Sequence, residues 1–176
     1  AARRAGVRVI VAGNVHDNDG PSGWDAEVLR PALREPHVRW ITEADLSRKR
    51  RLFARARALL VPIRWEEPFG LVMIEAMLAG CPVIAYARGA APEIVEDGRT
   101  GWLVDDVDAM AEALRRLRGF DRAACRARAI ERFSSDRMAR DYLAVYRAAA
   151  LGVSPGRRRG VARPAVEDGG WTSYAK

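Results

Sequence analysis

The chain has 176 residues, 49% of them hydrophobic, which is enough to bury the core of one domain of ordinary size. The formal charge is +7, but the final 26 residues carry +3 of it. The remaining +4, with both signs interspersed, describes a solvated surface and argues against a nucleic-acid partner. Cys81 and Cys125 are too few for a disulfide framework and have no metal-type partners beside them in sequence, so no metal site is expected.

The chain begins without Met, and its first apolar run, Val7 to Gly13, is far too short for a membrane span or a signal-peptide core. A cytoplasmic chain, cut from something longer and without a transmembrane segment, is the expectation. Val7 to Ala12 reads as a first strand. The turn-rich GNVHDNDGPSG that follows lacks the G-x-G-x-x-G spacing of dinucleotide sites, so no NAD or FAD is expected. A helix over about 24–34 leads to a second strand, Val38 to Ile41, then a helix over about 45–56 and a third strand, Ala58 to Ile63. A helix over about 70–79, a strand Pro82 to Tyr86, a short helix near 91–95 and a strand Gly101 to Val104 complete the alternation. From Val107 the pattern is helical: DAMAEALRRL opens behind Asp105, Asp106 and Asp108, and the last helix is capped by Ser134 or Ser135.

Short apolar runs alternating with amphipathic segments predict an α/β fold: a Rossmann-like parallel sheet flanked by helices on both faces, with a helical C-terminal end. The expected domain covers residues 1–150. Residues 151–176, with Gly, Pro and charge but no periodicity, are expected to form a disordered basic tail, although Trp171 and Tyr174 could dock. In such sheets ligands bind outside the carboxyl ends of the strands, which singles out the loops after Ala12, Ile41, Ile63 and Tyr86.

The stretch EEPFGLVMIEAMLAGCPVIA, residues 66–85, sets two carboxylates in an apolar surrounding. A helix opening near Gly70 turns its first free N–H groups toward solvent, which makes an anion site suited to a diphosphate. Glu75, one turn behind Leu71, offers two acceptor oxygens to a vicinal diol such as ribose. Glu67, upstream of the helix start, falls on the other side of the cradle. The order sugar, diphosphate, ribose of a nucleotide-sugar matches the order Glu67, backbone amides, Glu75. The competing roles are plain ones, a carboxylate balancing the helix dipole for Glu67 and a surface ion pair with an Arg for Glu75.

EPFGLVMIE, continued without a gap through AMLAGCPVIAYARGAAPEIVEDGRTGWLV to Val104, resembles the paired-glutamate signature of retaining glycosyltransferases of the GT-B fold, glycosyltransferase family four. The resemblance covers roughly residues 7–148. It implies one half of a GT-B fold and transfer of a sugar from a UDP-, GDP- or ADP-sugar with retained configuration and no metal or other cofactor. Glu67 takes the position that meets the donor sugar, Glu75 the position that meets the ribose, and the backbone of Phe69, Gly70 and Leu71 the position that meets sugar or diphosphate. The segment from Ile41 to Ala44, with Thr42, takes the position that receives the base. The acceptor, a sugar, lipid or small molecule, would be held by an N-terminal domain that is missing here, as is the family's Arg and Lys clamp. The chain is therefore expected to be a donor-binding half, inactive alone, from an enzyme that is cytoplasmic or peripheral to the inner face of the membrane.

Arg64 and Arg88, on strand-end loops, could contact phosphate. His16, after the first strand, could touch the donor sugar, against a loop histidine without function. His37 has no partner in sequence, and Glu93 opens or caps the short helix. The alternative from another class is a non-enzymatic module that binds nucleotide-sugars without turning them over.

Overall fold

The computed structural model describes residues 1–13 and 25–152, and within them five short strands alternate with helices. The strands are β1 (Val9–Ala12), β2 (Val38–Ile41), β3 (Leu59–Val61), β4 (Val83–Tyr86) and β5 (Gly101–Val104). Every pair is parallel: β1 with β2 in one ladder, and β3, β4 and β5 in that order in a second. The fold is the expected α/β arrangement, with the strands in two hydrogen-bonded groups where one sheet was expected. β3 is shorter than the apolar run that encodes it, because Pro62 has no N–H to extend the ladder.

The helices are α1 (Arg30–Leu33), preceded by a π-helical turn (Asp25–Leu29), α2 (Leu46–Arg55), α3 (Leu71–Leu78), α4 (Ala91–Ile94), α5 (Val107–Arg115), α6 (Arg122–Phe133) and α7 (Ser135–Ala150). Aspartates cap three of them: Asp45 Oδ1 accepts from Arg48 N at 2.6 Å, Asp106 Oδ1 from Ala109 N at 2.7 Å and Asp121 Oδ1 from Ala124 N at 2.9 Å. Ser134 accepts from Arg137 N at 3.4 Å at the start of α7.

β4 explains why helices cover both faces of the three-stranded group. All four of its residues are buried. Successive side chains point to opposite faces, so Val83 and Ala85 join Met73, Met77, Cys81, Ile94 and Cys125 on one side. Ile84 and Tyr86 join Met110, Ala113, Leu114 and Leu117 on the other. Met73, Met77 and Ile84 are fully buried, each worth roughly 2 kcal/mol of transfer free energy. Gly101 faces Val83 across the β4–β5 ladder so closely that an added Cβ would lie 1.8 Å from the Val83 carbonyl oxygen.

The chain divides into two compact units, Ala1–Met138 and Ala139–Lys176. The first holds all five strands. The described residues of the second, 139–152, are the remainder of α7 and its turn, where the rings of Tyr142 and Tyr146 meet at a tilt of 46° with centroids 5.9 Å apart. His16, Trp171, Tyr174 and nearly all of the expected basic tail lie outside the described residues. No helix of the described residues is long and apolar enough to cross a membrane.

Candidate functional site

The loop from β3 into α3 and the loop from β4 into α4 meet at the carboxyl ends of adjacent strands. Gly70 makes the turn into α3 in the left-handed region, at φ 71°, ψ 50°, a conformation with little cost only for glycine. Having no side chain, it cannot cap the helix it opens. Glu67 does so instead: its Oε1 accepts from Gly70 N at 3.0 Å and, more weakly, from Phe69 N at 3.5 Å. The indole Nε1 of Trp65 donates to the other oxygen, Oε2, at 3.2 Å. These donors, the Trp65 indole first and the Gly70 amide second, hold the Glu67 carboxyl below the usual carboxylate range.

Spacing alone had set Glu67 apart from the helix amides, across an open cradle. The structure differs, with the carboxylate lying on the Gly70 amide at the helix start and, more weakly, on the Phe69 amide just before it, because a side chain three residues upstream of Gly70 reaches the helix start. The dipole-balancing role raised for Glu67 is thus present in the geometry. The next first-turn amides, those of Leu71 and Val72, have no helical carbonyl behind them. Around this opening Trp65, Phe69 and Leu71 are 57–64% exposed, an unusual amount for large apolar groups clustered within seven residues.

The second loop is locked to the first through the backbone. Gly89 N donates to Glu66 Oε2 at 2.7 Å and Ala90 N donates to the Glu67 carbonyl at 2.8 Å. Gly89 has φ 53°, and an added Cβ would lie 2.4 Å from both the amide nitrogen and the carbonyl oxygen of Glu67. Arg88 follows the end of β4, and its guanidinium stands 3.9 Å from Glu66 at the exposed rim. Arg64 is exposed on the same edge.

Glu75 lies in α3 among buried neighbours, Ile74 and Ala76. Its Oε1 accepts from Lys49 Nζ of α2 at 2.6 Å, each side chain being about one-third exposed. The expected ion-pair partner was an Arg, and it is a Lys that sequence reasoning did not single out. Thr42 is exposed directly after β2, in the segment that leads to α2. Glu67, Phe69, Gly70, Leu71, Glu75 and Arg88 thus gather on or beside the opening of α3, with Thr42 at the end of the other ladder. Among the described residues no group of three or more His, Cys, Asp or Glu could hold a metal ion.

A second ionic cluster pins α6. Arg128 grips Glu96 with Nε at 2.8 and 2.9 Å from its two oxygens, and Arg132 Nη1 adds a contact at 3.0 Å. Thr100, the buried polar residue of this region, donates to the Glu96 carbonyl and accepts from Glu96 N at 2.8 Å. The arrangement closes the turn before β5.

The family model for glycosyl transferases group 1 matches residues 1–119. A D-inositol 3-phosphate glycosyltransferase of Mycobacterium marinum is 36% identical over 182 aligned residues, covering 93% of this chain and 37% of that protein. Among solved structures, a glycosyltransferase involved in avilamycin A biosynthesis superposes with a TM-score of 0.69 at 28% identity, over 86% of this chain and 46% of its own. The Anabaena protein HepE in complex with UDP superposes with a TM-score of 0.66 at 25% identity, over 81% of this chain and 41% of its own. The chain therefore spans less than half the length of each of these proteins.

Proposed function

Because the chain belongs to the glycosyl transferases group 1 family, we propose that it forms the donor-binding part of a retaining glycosyltransferase. The donor is a nucleotide-sugar, whose sugar passes to an acceptor held by a domain outside this chain. The observation that carries this reading is the opening of α3 at the carboxyl ends of β3 and β4, with Glu67 at one side and Glu75 one turn in. First-turn amides and a glycine at close approach suit a diphosphate. Glu75 suits the ribose, and Glu67, once released from the amides, suits hydroxyls of the transferred sugar.

In this reading the protein works by positioning and electrostatics, without a metal and without a protein nucleophile. The amides of the α3 opening and Arg88 take charge on the diphosphate as the bond to the sugar breaks. Thr42 faces the base, and the exposed Phe69 and Leu71 flank the sugar and diphosphate. Turnover by this chain alone is not expected, since the acceptor side is not part of it. That other proteins of this fold are named as bound to UDP supports the choice of ligand class.

Calorimetric titration of the chain with UDP, GDP and ADP and their common sugar conjugates tests the reading. Binding of one nucleotide, abolished by Glu75→Ala, is the expected result. Absence of binding to a chain shown to be folded would sink it.

A further inference from the structure

Two carboxylates of this chain are held by basic side chains in opposite ways. Arg128 engages both oxygens of Glu96, with Nη2 2.6 Å from Oε1 and Nε 2.8 and 2.9 Å from Oε1 and Oε2, as a planar guanidinium does when its fork meets a carboxylate. Lys49 engages one oxygen of Glu75. Its Nζ lies 2.6 Å from Oε1, and Oε2 has no protein donor among the described residues. The pair sits one turn into α3, with about a third of each side chain exposed.

Lysine is also the rare cation here. The chain has 30 basic residues, and only Lys49 and Lys176 are lysines; Arg48, Arg50 and Arg51 surround Lys49 in α2. An arginine at 49 would keep the charge and carry more donors. What it would not keep is the single-point contact, since an ammonium is a compact charge and a guanidinium is a fork. The helix itself is fixed at this point by its Asp45 cap and by the bond from Lys49 N to the Asp45 carbonyl at 2.8 Å.

We propose that Lys49 is a positioning residue that anchors Glu75 by one carboxylate oxygen and so leaves the other to accept the ribose hydroxyls of the donor. The proposal rests on the reading of Glu75 given above. It assigns to lysine, as opposed to any cation, the work of keeping that oxygen available. It also makes discrimination for ribose depend on a residue that touches no part of the ligand.

The test is titration of UDP, GDP and ADP and of their 2′,3′-dideoxy counterparts into the wild-type chain, Lys49→Arg, Lys49→Gln and Glu75→Ala, with thermal melting as the check on folding. For the nucleotide that binds, loss of the ribose hydroxyls is expected to weaken the wild type by about tenfold or more. Lys49→Arg, folded and of unchanged charge, is expected to bind the two forms within about twofold of each other, like Glu75→Ala. Lys49→Gln, which can donate to one oxygen without forking, is expected to retain part of the discrimination. Wild-type discrimination in Lys49→Arg, with loss in Glu75→Ala, overturns the role of Lys49 and leaves that of Glu75. Unchanged discrimination in Glu75→Ala, or no binding by the wild type, overturns the underlying reading and the proposal with it. A purely structural ion pair would lower the melting temperature in all three variants and leave the ratio unmoved.

Discussion

The Oε1 atom of Glu67 accepts the Gly70 amide at 3.0 Å, so a carboxylate of the chain itself rests on the helix opening that the proposed ligand would use. A diphosphate approaching those amides meets a resident anion and must displace it. Glu67→Ala is therefore expected to bind bare nucleoside diphosphate at least as tightly as the wild type, while its preference for the sugar conjugate falls by about tenfold. Paired calorimetric titrations read both quantities. A drop in bare-diphosphate affinity as large as that of Glu75→Ala would contradict the proposed order of sugar, diphosphate and ribose.

Gly89→Ala tests the seat of the site from beneath. The new methyl group would fall 2.4 Å from the Glu67 backbone, and the residue would be held at φ 53°. That backbone conformation costs a non-glycine residue about 1–2 kcal/mol before the clash is counted. The expected outcome is a folded chain of lowered melting temperature whose nucleotide affinity falls more than that of a rim substitution such as Arg88→Ala. Equal loss in the two variants would show that the loop contact is incidental to binding.

Acid should loosen α6. The Arg128 guanidinium, first among several causes, holds the Glu96 carboxyl below its usual value of 4.5. A depressed folded-state value means that the stabilisation is fully present above the unfolded value and is lost as pH falls through the folded one. Thermal melting should thus vary little on this account from pH 7 to about 5 and decline below 4.5. Glu96→Gln should start from a lower melting temperature and show a shallower acid limb. An unchanged limb would exclude this pair as a source of acid sensitivity.

The two cysteines are predicted to be inert in the folded chain. Both are fully buried and free, and burial pushes each thiol up to about 11. The thiolate is the reactive form, so at pH 8 neither should react with a thiol reagent until the chain is unfolded. Titration before and after denaturant measures this directly, and rapid labelling of the native chain would contradict the burial.

Much of the fold could be read from the sequence because its signals are local. Val38–Ile41 and Gly101–Val104 lie where their apolar runs place them, and α3 starts where Gly70 interrupts the chain. Burial was less legible: Val7 to Ala12 reads as a strand of a sheet covered by helices on both faces, yet Ile10 and Val11 are 48% and 37% exposed. The candidate site followed the same division. The segment from Glu67 to Glu75 was found from its own residues, since a carboxylate near a glycine-opened helix is a local pattern. Contact between Glu67 and the amides was missed although only three residues separate them, because spacing does not say which way a side chain folds. Lys49 was missed for a different reason. Its partner is 26 residues away, and the pairing exists only because α2 packs against α3.

The bonds from Gly89 to Glu66 and from Ala90 to Glu67 make the two loops a single cassette. Residues 64–70 are mostly exposed, yet their path is held by two amides of the other loop, Gly89 N on the Glu66 carboxylate and Ala90 N on the Glu67 main-chain carbonyl. Main-chain contacts are indifferent to most side-chain changes. The rest of the cassette's surface can therefore vary widely while its frame stays the same, provided Gly89 and the Glu66 carboxylate that accepts its amide are kept. A graft meant to import another donor preference would have to carry both segments together, since either one alone would arrive without the surface it is moulded against.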